Sequence, residues 1–479
     1  MKVLFVNPPR FLEKIPVTRE DRCEVTDRYS VVPPYSLACM ASILRERKYE
    51  VSILDANAMN FSYSELERSL RVISFDVLVF RFTPTTFDWD KRVADIVKAK
   101  DQKITTIGIC LTLHLLGKEV LERSPNLDYY LPLDWEEVLP NLLDYVVGTR
   151  PDVSSGVYYR SGSGVSYEAV VETTTDFDKL PLPAYDLLPD FKLYRPNAPT
   201  SGNYMVLYSS KGCPYSCTYC TVARTPFKMK SQERLLEELN TLYDQYDVRL
   251  VSFFDETFTL NKTRILSLCD SIKETMPELR WYCNTRVNLV DEETLKAMKS
   301  GGCRGLSLGI ESGSQKILDN VKKGITTAEA ARAIKMAKDA GLLVYASFIF
   351  GLPGEDQSTA KETLTFVKNA LPHGAQFNVA VPYPGTEFYN YAKEKDLLSR
   401  EVTWEKLMQH KATVRSESLS QSELEKIRKN AYRMLYLNPE WFSQNVRWVL
   451  QNTGYLSMGV KYYVKALQNL LVHKMEHAH

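Results

Sequence analysis

The sequence predicts an α/β protein with a doubly wound parallel sheet first, a partial (β/α)6 barrel after it, and a helical C-terminal region. Two observations indicate this order. Short apolar runs alternate with helical stretches up to about residue 147, and again from about residue 204, and such alternation is typical of parallel sheets. Between the two series lies a stretch rich in Ser, Gly, Thr and Pro, which is typical of a linker.

Four parts of the chain follow from this pattern. We assign residues 1–147 to the first sheet domain, 148–203 to the linker, 204–397 to the partial barrel and 398–479 to the helical region. A length prior of roughly 150 residues per domain suggests about three units, which agrees with three folded parts and one connection.

Composition and apolar runs exclude several classes of protein. Lys and Arg number 60 against 59 Asp and Glu, so no net charge attracts nucleic acid, and we expect no nucleic-acid partner. The apolar run in MKVLFVNPPR is too short for a secretory signal, and LLVYASFIFGL falls short of the ~20 residues that span a bilayer. Nine cysteines are sparse for this length and indicate reduced thiols. We therefore expect a cytoplasmic protein.

The first series contains five strands that read as buried, with helices between or after them. The strand segments are KVLFV, VSILDA, DVLVF, KITTIG and LDYYL, and the helices start near Tyr35, Ser62, Trp89, Gly117 and Glu136. In open parallel sheets, ligands bind at the carboxyl ends of the strands. Those ends carry Asn7, Asp55, the RFTPTT segment from Arg81, and Gly108.

The second series contains six strand segments, which predict a parallel barrel or an incomplete one. These segments are MVLYSS, LVSFF, RWYCN, CRGLSLGI, LLVYASFIF and AQFNVAV. In such a barrel the active centre lies at the carboxyl ends of the strands. Beyond about Leu398 only helical, aromatic-rich sequence remains.

The segment SSKGCPYSCTYCTVAR, from residue 209, places three cysteines in one loop: Cys213, Cys217 and Cys220. Structural zinc takes four ligands and usually uses paired C-x-x-C motifs, so zinc fits this C-x-x-x-C-x-x-C spacing poorly. Thiolates at such spacing hold iron–sulfur clusters, and three of them leave one iron of a four-iron cluster open to a substrate. The alternative is three structural cysteines without a metal. Because the loop follows a strand and opens the second series, where a barrel has its chemistry, the cluster is favoured.

With Tyr219 directly before the third cysteine, this loop resembles the signature of the radical S-adenosylmethionine (SAM) superfamily. The resemblance implies a [4Fe–4S] cluster whose open iron is chelated by the amino and carboxylate groups of SAM. It also implies an external electron donor of the flavodoxin or ferredoxin type. The transferred electron cleaves SAM to a 5′-deoxyadenosyl radical, which abstracts hydrogen from the substrate.

Further strand ends resemble positions that contact SAM in this superfamily. Asp255 and Glu256 in FFDETF resemble the acidic position that takes the amino group. Arg286 in NTRVNL offers a cation to a carboxylate. Glu311 and Ser312 in GIESGS resemble the contact to ribose or methionine. Any one of these could be an ordinary loop residue.

The last two strands end in glycine- and proline-containing segments. Gly351 and Gly354 in IFGLPGE resemble the position where backbone approaches adenine, because a missing side chain leaves room. The segment PYPGTEF from Pro382 closes the set. Six strand ends in register predict one shared site.

The six other cysteines carry no C-x-x-C pairing, and we expect most of them to be buried thiols and not ligands of an auxiliary cluster. They are at positions 23, 39, 110, 269, 283 and 303. His114 reads as a core or surface residue, and HKMEHAH at the C-terminus as no metal site.

The first sheet resembles that of the cobalamin-binding radical SAM enzymes over about residues 1–395. The resemblance rests on NPP after the first strand, VPPYSLACMASIL, ILDANA and LPAYDLLP. It implies cobalamin contacts at Pro34, Tyr35, Ser36, Asp55, Ala56, Thr83, Thr85 and Gly108. Asn57 stands where other cobalamin proteins supply a His to cobalt, so the resemblance implies cobalamin without a protein His ligand.

Two segments depart from this subfamily. The chain reads GICLTLH from Gly108 where members carry a Gly-Gly-Pro-His type loop, and LDWEE from Leu133 where they carry Gly-Glu-Gly-Glu. Ile109 and Trp135 add side chains where glycines let backbone approach the nucleotide tail. The alternatives are a remodelled cofactor pocket or a lost one.

Three functional hypotheses follow. The first is a methyltransferase that uses SAM and cobalamin on an unactivated carbon or phosphorus centre. The second keeps both cofactors but ends in cyclisation or oxidation, because the radical generator does not fix the fate of the substrate radical. The third is a cobalamin-free radical SAM enzyme whose sheet domain is a substrate-binding scaffold. A non-catalytic binding protein fits least.

The substrate is a small molecule or a lipid-like one. The segment from Trp441 to Lys474 mixes Trp, Tyr and Leu with Lys and Arg at helical spacing. One interpretation is a helix packed on the barrel. The other is an interfacial helix in peripheral contact with a membrane, which admits an amphiphilic substrate.

Overall fold

The computed structural model describes residues 1–20, 30–132, 135–162, 164–168, 175–399 and 403–456. Cys23, Leu133, Asp134 and the segment 457–479, for which the sequence analysis has expectations, lie outside the described residues. HKMEHAH belongs to that last segment.

The chain forms two compact units. The first comprises Met1–Pro196 together with the short segments Tyr204–Val206 and Thr403–Leu407, and the second comprises the remaining described residues. The four-part division made from the sequence stays a prediction, because a compact unit can collect segments that are distant in sequence.

The first unit contains a seven-stranded sheet in the order β2-β1-β3-β4-β5-β6-β7. Its strands are β1 Lys2–Asn7, β2 Glu50–Asp55, β3 Val77–Arg81, β4 Thr105–Ile109, β5 Tyr129–Leu131, β6 Val157–Ser161 and β7 Gly164–Glu168. The first five pair in parallel, which confirms the predicted sheet, whereas β6 and β7 join antiparallel. These two strands lie in the segment that was read as a linker.

The helices of the first unit begin close to the predicted starts. They are α1 Tyr35–Glu46, α2 Tyr63–Val72, α3 Phe87–Asp90, α4 Arg92–Lys100, α5 Gly117–Arg123 and α6 Trp135–Val147. A capping box between Ser62 and Glu65 begins α2, because the two side chains satisfy backbone N–H groups that the first turn leaves open. Apolar side chains of α1 and α6 pack with those of the central strands in one core cluster.

A six-stranded sheet in the order β8-β11-β12-β13-β14-β15 belongs to the second unit, except for Tyr204–Val206 of β8, which belong to the first. Its strands are β8 Asn203–Leu207, β11 Val248–Phe253, β12 Arg280–Thr285, β13 Cys303–Glu311, β14 Leu343–Phe350 and β15 Gly374–Val379. Strands β11 to β15 pair in parallel in chain order, as a partial barrel requires. A separate antiparallel hairpin joins β9 Ser210–Cys213 to β10 Thr225–Met229.

Helices follow the strands of the second sheet. They are α7 Gln232–Gln245, α8 Lys262–Thr275, α9 Glu292–Ser300, α10 Gln315–Asn320, α11 Thr327–Asp339, α12 Gln357–Ala370, α13 Glu387–Glu394, α14 Gln421–Tyr436 and α15 Pro439–Gln451. In the part of the chain that the structure describes, no helix combines the length and the apolar character needed to cross a bilayer.

The described part of the C-terminal region packs on the second sheet. In α14, the hydroxyls of Tyr432 and Tyr436 accept hydrogen bonds from the backbone N–H groups of Phe377 and Ala375 in β15, at 3.2 and 3.3 Å. In α15, the Trp441 indole N–H donates to the carbonyls of Pro372 and His373, both at 3.1 Å, so the described start of the segment from Trp441 packs on the second unit through one face. Another face of α15 exposes Phe442, Val446 and Leu450, at a spacing of four residues. The interfacial interpretation stays a prediction.

Candidate active site

The three-cysteine loop is held in place by hydrogen bonds around its whole length. The Cys213 N–H, at the end of β9, donates to Thr225 Oγ1 at 3.0 Å. The Thr218 N–H donates to the Val321 carbonyl at 3.1 Å, and the Thr218 carbonyl accepts from Phe388 N–H at 2.9 Å. The loop is therefore fixed to its own hairpin, to the end of α10 and to the start of α13.

Gly212 lies within β9 and has a backbone conformation that is unusual for a strand. Its φ is +82°, a left-handed conformation that residues with a side chain rarely adopt. A Cβ atom there would lie 2.0 Å from the carbonyl oxygen of Pro226 on the paired strand. Close contact of the two hairpin strands, and hence the placement of the neighbouring Cys213, depends on this missing side chain.

The three thiols differ in exposure. Cys217 is buried, whereas Cys213 and Cys220 are partly exposed, and none of the three is in a disulfide. Among the described residues, no three His, Cys, Asp or Glu side chains are arranged as ligands of one metal ion. Three thiols on one loop nevertheless have the donor chemistry of a four-iron cluster with one open iron.

Arg286 lies directly after β12 and touches the loop. It is 5% exposed, and its Nη1 lies 3.7 Å from Cys217 Sγ. Its Nη2 donates to the Lys323 carbonyl and its Nε donates to Asn288 Oδ1 at 3.3 Å. The guanidinium carbon also lies 3.7 Å above the ring of Tyr215. The sequence analysis expected a cation that meets a carboxylate, but in this structure the cation meets a thiol.

Glu311 and Lys323 form a buried ion pair beside Tyr219. Lys323 Nζ lies 2.8 Å from Glu311 Oε1 and 3.4 Å from the Tyr219 hydroxyl. Burial, with the Glu311 carboxylate next, raises the pKa of Tyr219 well above its ordinary value. Glu311 has a φ of +75°, a conformation that costs energy in a residue with a side chain and is common at functional sites.

Lys323 is a site residue that the sequence analysis missed. It follows Glu311 by twelve positions, in the turn VKKG after α10. The available signal was a lysine pair before a glycine, which by itself reads as an ordinary helix end. Only the fold brings Lys323 back to the end of β13.

Asp255 does not face an open space. It is fully buried, and it accepts hydrogen bonds from Ser209 N–H at 3.0 Å, Ser209 Oγ at 2.6 Å and Ser210 Oγ at 2.5 Å. Burial raises its pKa, while these hydrogen bonds oppose the rise. The contact of Asp255 with a bound ammonium therefore stays a prediction. The carboxylate instead anchors the start of β9, three residues before Cys213, and Glu256 beside it is partly exposed.

Ser312 is likewise committed to the protein. It is fully buried, its hydroxyl lies 3.0 Å from Thr363 Oγ1, and it accepts from Ser314 N–H at 3.1 Å. It therefore stabilises the turn before α10, and the expected contact to ribose or methionine stays a prediction.

Gly351 and Gly354 both have positive φ, +92° and +81°. An added Cβ would lie 2.9 Å from Leu424 Cδ1 at the first position and 2.5 Å from Asn320 Nδ2 at the second. The turn after β14 therefore needs both glycines for its own packing. Inside it, Glu355 is 1% exposed and accepts from Gly351 N–H, and burial raises its pKa to about 8.

In the first unit, the strand ends are joined by a buried polar network centred on Arg19. Its guanidinium donates to both carboxylate oxygens of Asp90, at 2.9 and 2.7 Å, to Asn7 Oδ1 at 3.1 Å, and to the carbonyls of Pro8 and Pro9. All five of its N–H groups thus have acceptors.

Asp55 extends this network. It accepts from Asn7 Nδ2 at 2.8 Å, Ala58 N–H at 2.9 Å and the Tyr194 hydroxyl at 3.1 Å. Burial raises its pKa to about 6. Ala56 beside it and Asn57 are fully buried, and the Asn57 amide hydrogen-bonds to both the N–H and the carbonyl of Val17.

The remaining residues expected at the cobalamin site are also enclosed. Pro34 and Tyr35 begin α1, and Ser36 donates to the carboxylate of Glu20 at 2.9 Å through its hydroxyl and 3.0 Å through its N–H. Thr83 caps the turn before α3, and Thr85 lies 3.1 Å from it, hydroxyl to hydroxyl.

Gly108 is not open to a ligand at its α-carbon. A Cβ there would lie 2.9 Å from the Phe82 ring and 3.1 Å from Leu127. The protein's own side chains therefore pack against Gly108, and the cobalamin contact expected there stays a prediction.

Of the other cysteines, Cys110, Cys269, Cys283 and Cys303 are buried and Cys39 is partly exposed, and none of these five is in a disulfide. His114 is partly buried, and burial lowers its pKa. The structural roles expected of these residues stay predictions.

A partial parallel barrel with three thiols on the loop after its first strand defines a class of iron–sulfur half-barrel enzymes. Residues 207–367 match the model of the radical SAM superfamily. An uncharacterized methyltransferase of Pyrococcus horikoshii is 30% identical over 412 residues, covering 85% of this chain and 88% of that protein. The chain therefore belongs to the radical SAM superfamily, which confirms the resemblance seen in the cysteine loop.

A second relative and a solved structure extend the comparison. The anaerobic magnesium-protoporphyrin IX monomethyl ester cyclase of Cereibacter sphaeroides is 25% identical over 450 residues, covering 91% of this chain and 72% of that enzyme. The radical SAM methyltransferase TsrM of Kitasatospora setae, solved with cobalamin and a [4Fe–4S] cluster, has a TM-score of 0.70 at 15% identity. The alignment covers 92% of this chain and 89% of TsrM. This likeness confirms the predicted fold class.

Proposed function

We propose that the protein is a cobalamin-dependent radical SAM methyltransferase that acts on an unactivated carbon or phosphorus centre. The observation that carries the proposal is the three-thiol loop with Arg286, Glu311 and Lys323 gathered around it. Methyltransferase relatives and the fold shared with TsrM support the choice of reaction.

Cys213, Cys217 and Cys220 would hold a [4Fe–4S] cluster, and the reduced cluster would supply the electron that cleaves SAM. The chain's own residues would bind and orient SAM. The ammonium and sulfonium of SAM are cationic, and Glu311 and Glu256 offer carboxylates at the strand ends. Lys323 would offer its ammonium to the SAM carboxylate, because its Nζ lies beside Glu311 at the carboxyl end of β13.

Cobalamin would bind at the first unit, without a protein ligand on cobalt at position 57. The donor set fits this form of the cofactor, because the Asn57 amide is engaged on both sides by Val17. Four residues expected at this site are buried and would support it through contacts within the protein, namely Asp55, Ala56, Thr83 and Thr85.

A second candidate is a cyclase or oxidase with the same cofactors, favoured by the cyclase relative of Cereibacter sphaeroides. A third is a cobalamin-free enzyme in which the first unit binds substrate, favoured by the packing of Gly108 against Phe82 and Leu127. In each, the partners are a small-molecule or lipid-like substrate and an electron donor of the flavodoxin or ferredoxin type. The free thiols favour work in the cytoplasm.

The test is anaerobic reconstitution with iron, sulfide and hydroxocobalamin, followed by incubation with methyl-labelled SAM and a low-potential reductant. We expect one four-iron cluster, formation of 5′-deoxyadenosine, a bound cobalamin with the spectrum of the form lacking lower-face nitrogen ligation, and label in the cobalamin fraction. Bound cobalamin without transfer of label would favour the cyclase. No cobalamin at saturating concentration would favour the scaffold.

A further inference from the structure

Arg286 is held in one orientation by contacts on several sides. Its Nη2 donates to the Lys323 carbonyl, its Nε to Asn288 Oδ1, and the Tyr215 ring covers the guanidinium face. The remaining Nη1 points to the sulfur of Cys217 at 3.7 Å. A guanidinium is planar and always charged. Because Nε, Nη2 and the face of the Arg286 guanidinium are held by these contacts, the direction of Nη1 is fixed as well.

The charge of Arg286 is not cancelled nearby. Among the described residues its partners are an amide, a carbonyl, an aromatic ring and the thiol, with no carboxylate in ion-pair contact. Arg286 and Cys217 are 5% and 7% exposed, so solvent screens this contact little. A buried, unneutralised cation therefore faces the most buried of the three thiols.

Hydrogen bonds to cluster sulfurs and nearby charge set the reduction potentials of iron–sulfur clusters. A reduced cluster carries one more negative charge than an oxidised one. A fixed cation at a ligand sulfur stabilises the reduced form more, because the interaction grows with charge and with burial.

We propose that Arg286 is a positioning residue. By donating a charge-assisted hydrogen bond to Cys217, Arg286 raises the reduction potential of the cluster that Cys217 would hold. The inference rests on the proposed cluster. It differs from the sequence-based expectation, in which Arg286 meets the carboxylate of SAM.

The experiment compares Arg286→Gln and Arg286→Lys with the wild type after anaerobic reconstitution. Iron content, the midpoint potential from a redox titration followed by electron paramagnetic resonance, and SAM affinity are measured on each. For Arg286→Gln we expect bound iron as in the wild type and an about tenfold smaller equilibrium constant for reduction, or about 59 mV for a one-electron couple. Arg286→Lys should shift the midpoint potential less than Arg286→Gln does, since lysine keeps the positive charge and loses only the planar set of N–H donors.

Arg280→Gln is the matched control. Arg280 begins β12, the strand that Arg286 follows, and its Nη1 donates to the carbonyls of Pro277 and Leu279. At about 3.3 Å per residue it lies about 20 Å from Arg286. Its replacement should leave the midpoint potential unchanged.

Tyr215→Leu gives a second, independent reading, because it exposes the guanidinium without removing it. We expect a smaller shift in the same direction. An unchanged midpoint in Arg286→Gln, with or without weaker SAM binding, would overturn the proposal, and so would loss of iron in all three site variants, which would make Arg286 an assembly residue. Failure of the proposed function looks different, because the wild type itself would then hold no cluster.

Discussion

The carboxyl ends of the strands carry charged residues in both sheets, and the two sheets use them in opposite ways. In the first unit, Arg19 has every N–H group paired within a closed network that includes Asp90 and Asn7. In the second unit, Arg286 directs one donor toward the Cys217 thiol of the loop, and Lys323 directs its ammonium toward the Glu311 carboxylate at the end of β13.

The comparison separates structural charge from functional charge. A buried ion with all its hydrogen bonds satisfied inside one unit has nothing left to offer a ligand. A buried ion that faces a reactive group keeps an interaction that binding or chemistry can change. Sequence alone does not separate the two, since Arg19 and Lys323 each lie twelve residues after the strand end that they contact, Asn7 and Glu311 respectively.

The largest effect is expected from the loop itself. Replacing Cys213, Cys217 and Cys220 together with Ala should abolish the [4Fe–4S] cluster and SAM cleavage, because no other three thiols among the described residues share a loop. Cys39→Ala in the first unit is the control and should keep full iron content. Iron and sulfide analysis with 5′-deoxyadenosine quantification checks both. Unchanged cluster content in the triple variant would refute the assignment.

Breaking the closed network should cost folding stability. Arg19→Met leaves Asp90 buried without its cation, and removal of one partner of a buried pair costs about 3–5 kcal/mol of the free energy of unfolding. Arg71→Met removes an exposed pair with Glu67 and should cost about 0–1 kcal/mol. Urea unfolding of both variants gives the comparison. Equal losses would show that the network does not hold the first unit together.

Glu311 and Asp255 should separate SAM binding from loop support. Glu311→Gln weakens a charge-assisted contact worth roughly 1.5–3 kcal/mol, or about one to two decades in SAM affinity, with iron content retained. Asp255→Asn should instead lower iron content or stability, because Asp255 anchors Ser209 and Ser210. Isothermal titration and iron analysis are run side by side. Normal SAM binding in Glu311→Gln would remove this residue from the site.

The last prediction concerns how the free energy of unfolding depends on pH. Burial raises the pKa of Glu355 from 4.5 to about 8, so between these values the folded state binds more protons than the unfolded state. Stability should therefore fall as pH rises from about 5 to 8, by up to about 1.4 kcal/mol per unit. Glu355→Gln should flatten this dependence of stability on pH. Glu362→Gln is the control, because Glu362 is exposed on α12, and it should leave the dependence unchanged. Urea unfolding at pH 5, 6.5 and 8 measures it, and parallel slopes in Glu355→Gln and wild type would contradict the assignment.

Sequence reasoning reached the strands because each is a short apolar run, and this holds for both sheets. It missed β6 and β7, since VYYRSGSGVSYE mixes Tyr and Val with Gly and Ser and such composition also suits a loop. It found the cysteines from spacing, whereas the ligand contacts of Asp255 and Ser312 stay predictions, because both side chains are buried and hydrogen-bonded within the protein. Arg19 and Lys323 gave no local signal, because their roles arise from the fold that brings loops together.

The turn at Gly212 also bears on how this protein tolerates change. Any side chain at position 212 would meet the Pro226 carbonyl and an unfavourable φ together. Variants of the hairpin with a substitution at this position should therefore rarely survive. Gly212, which contacts no ligand in the proposed site, thus restricts which sequence variants of this chain can hold Cys213 in its position.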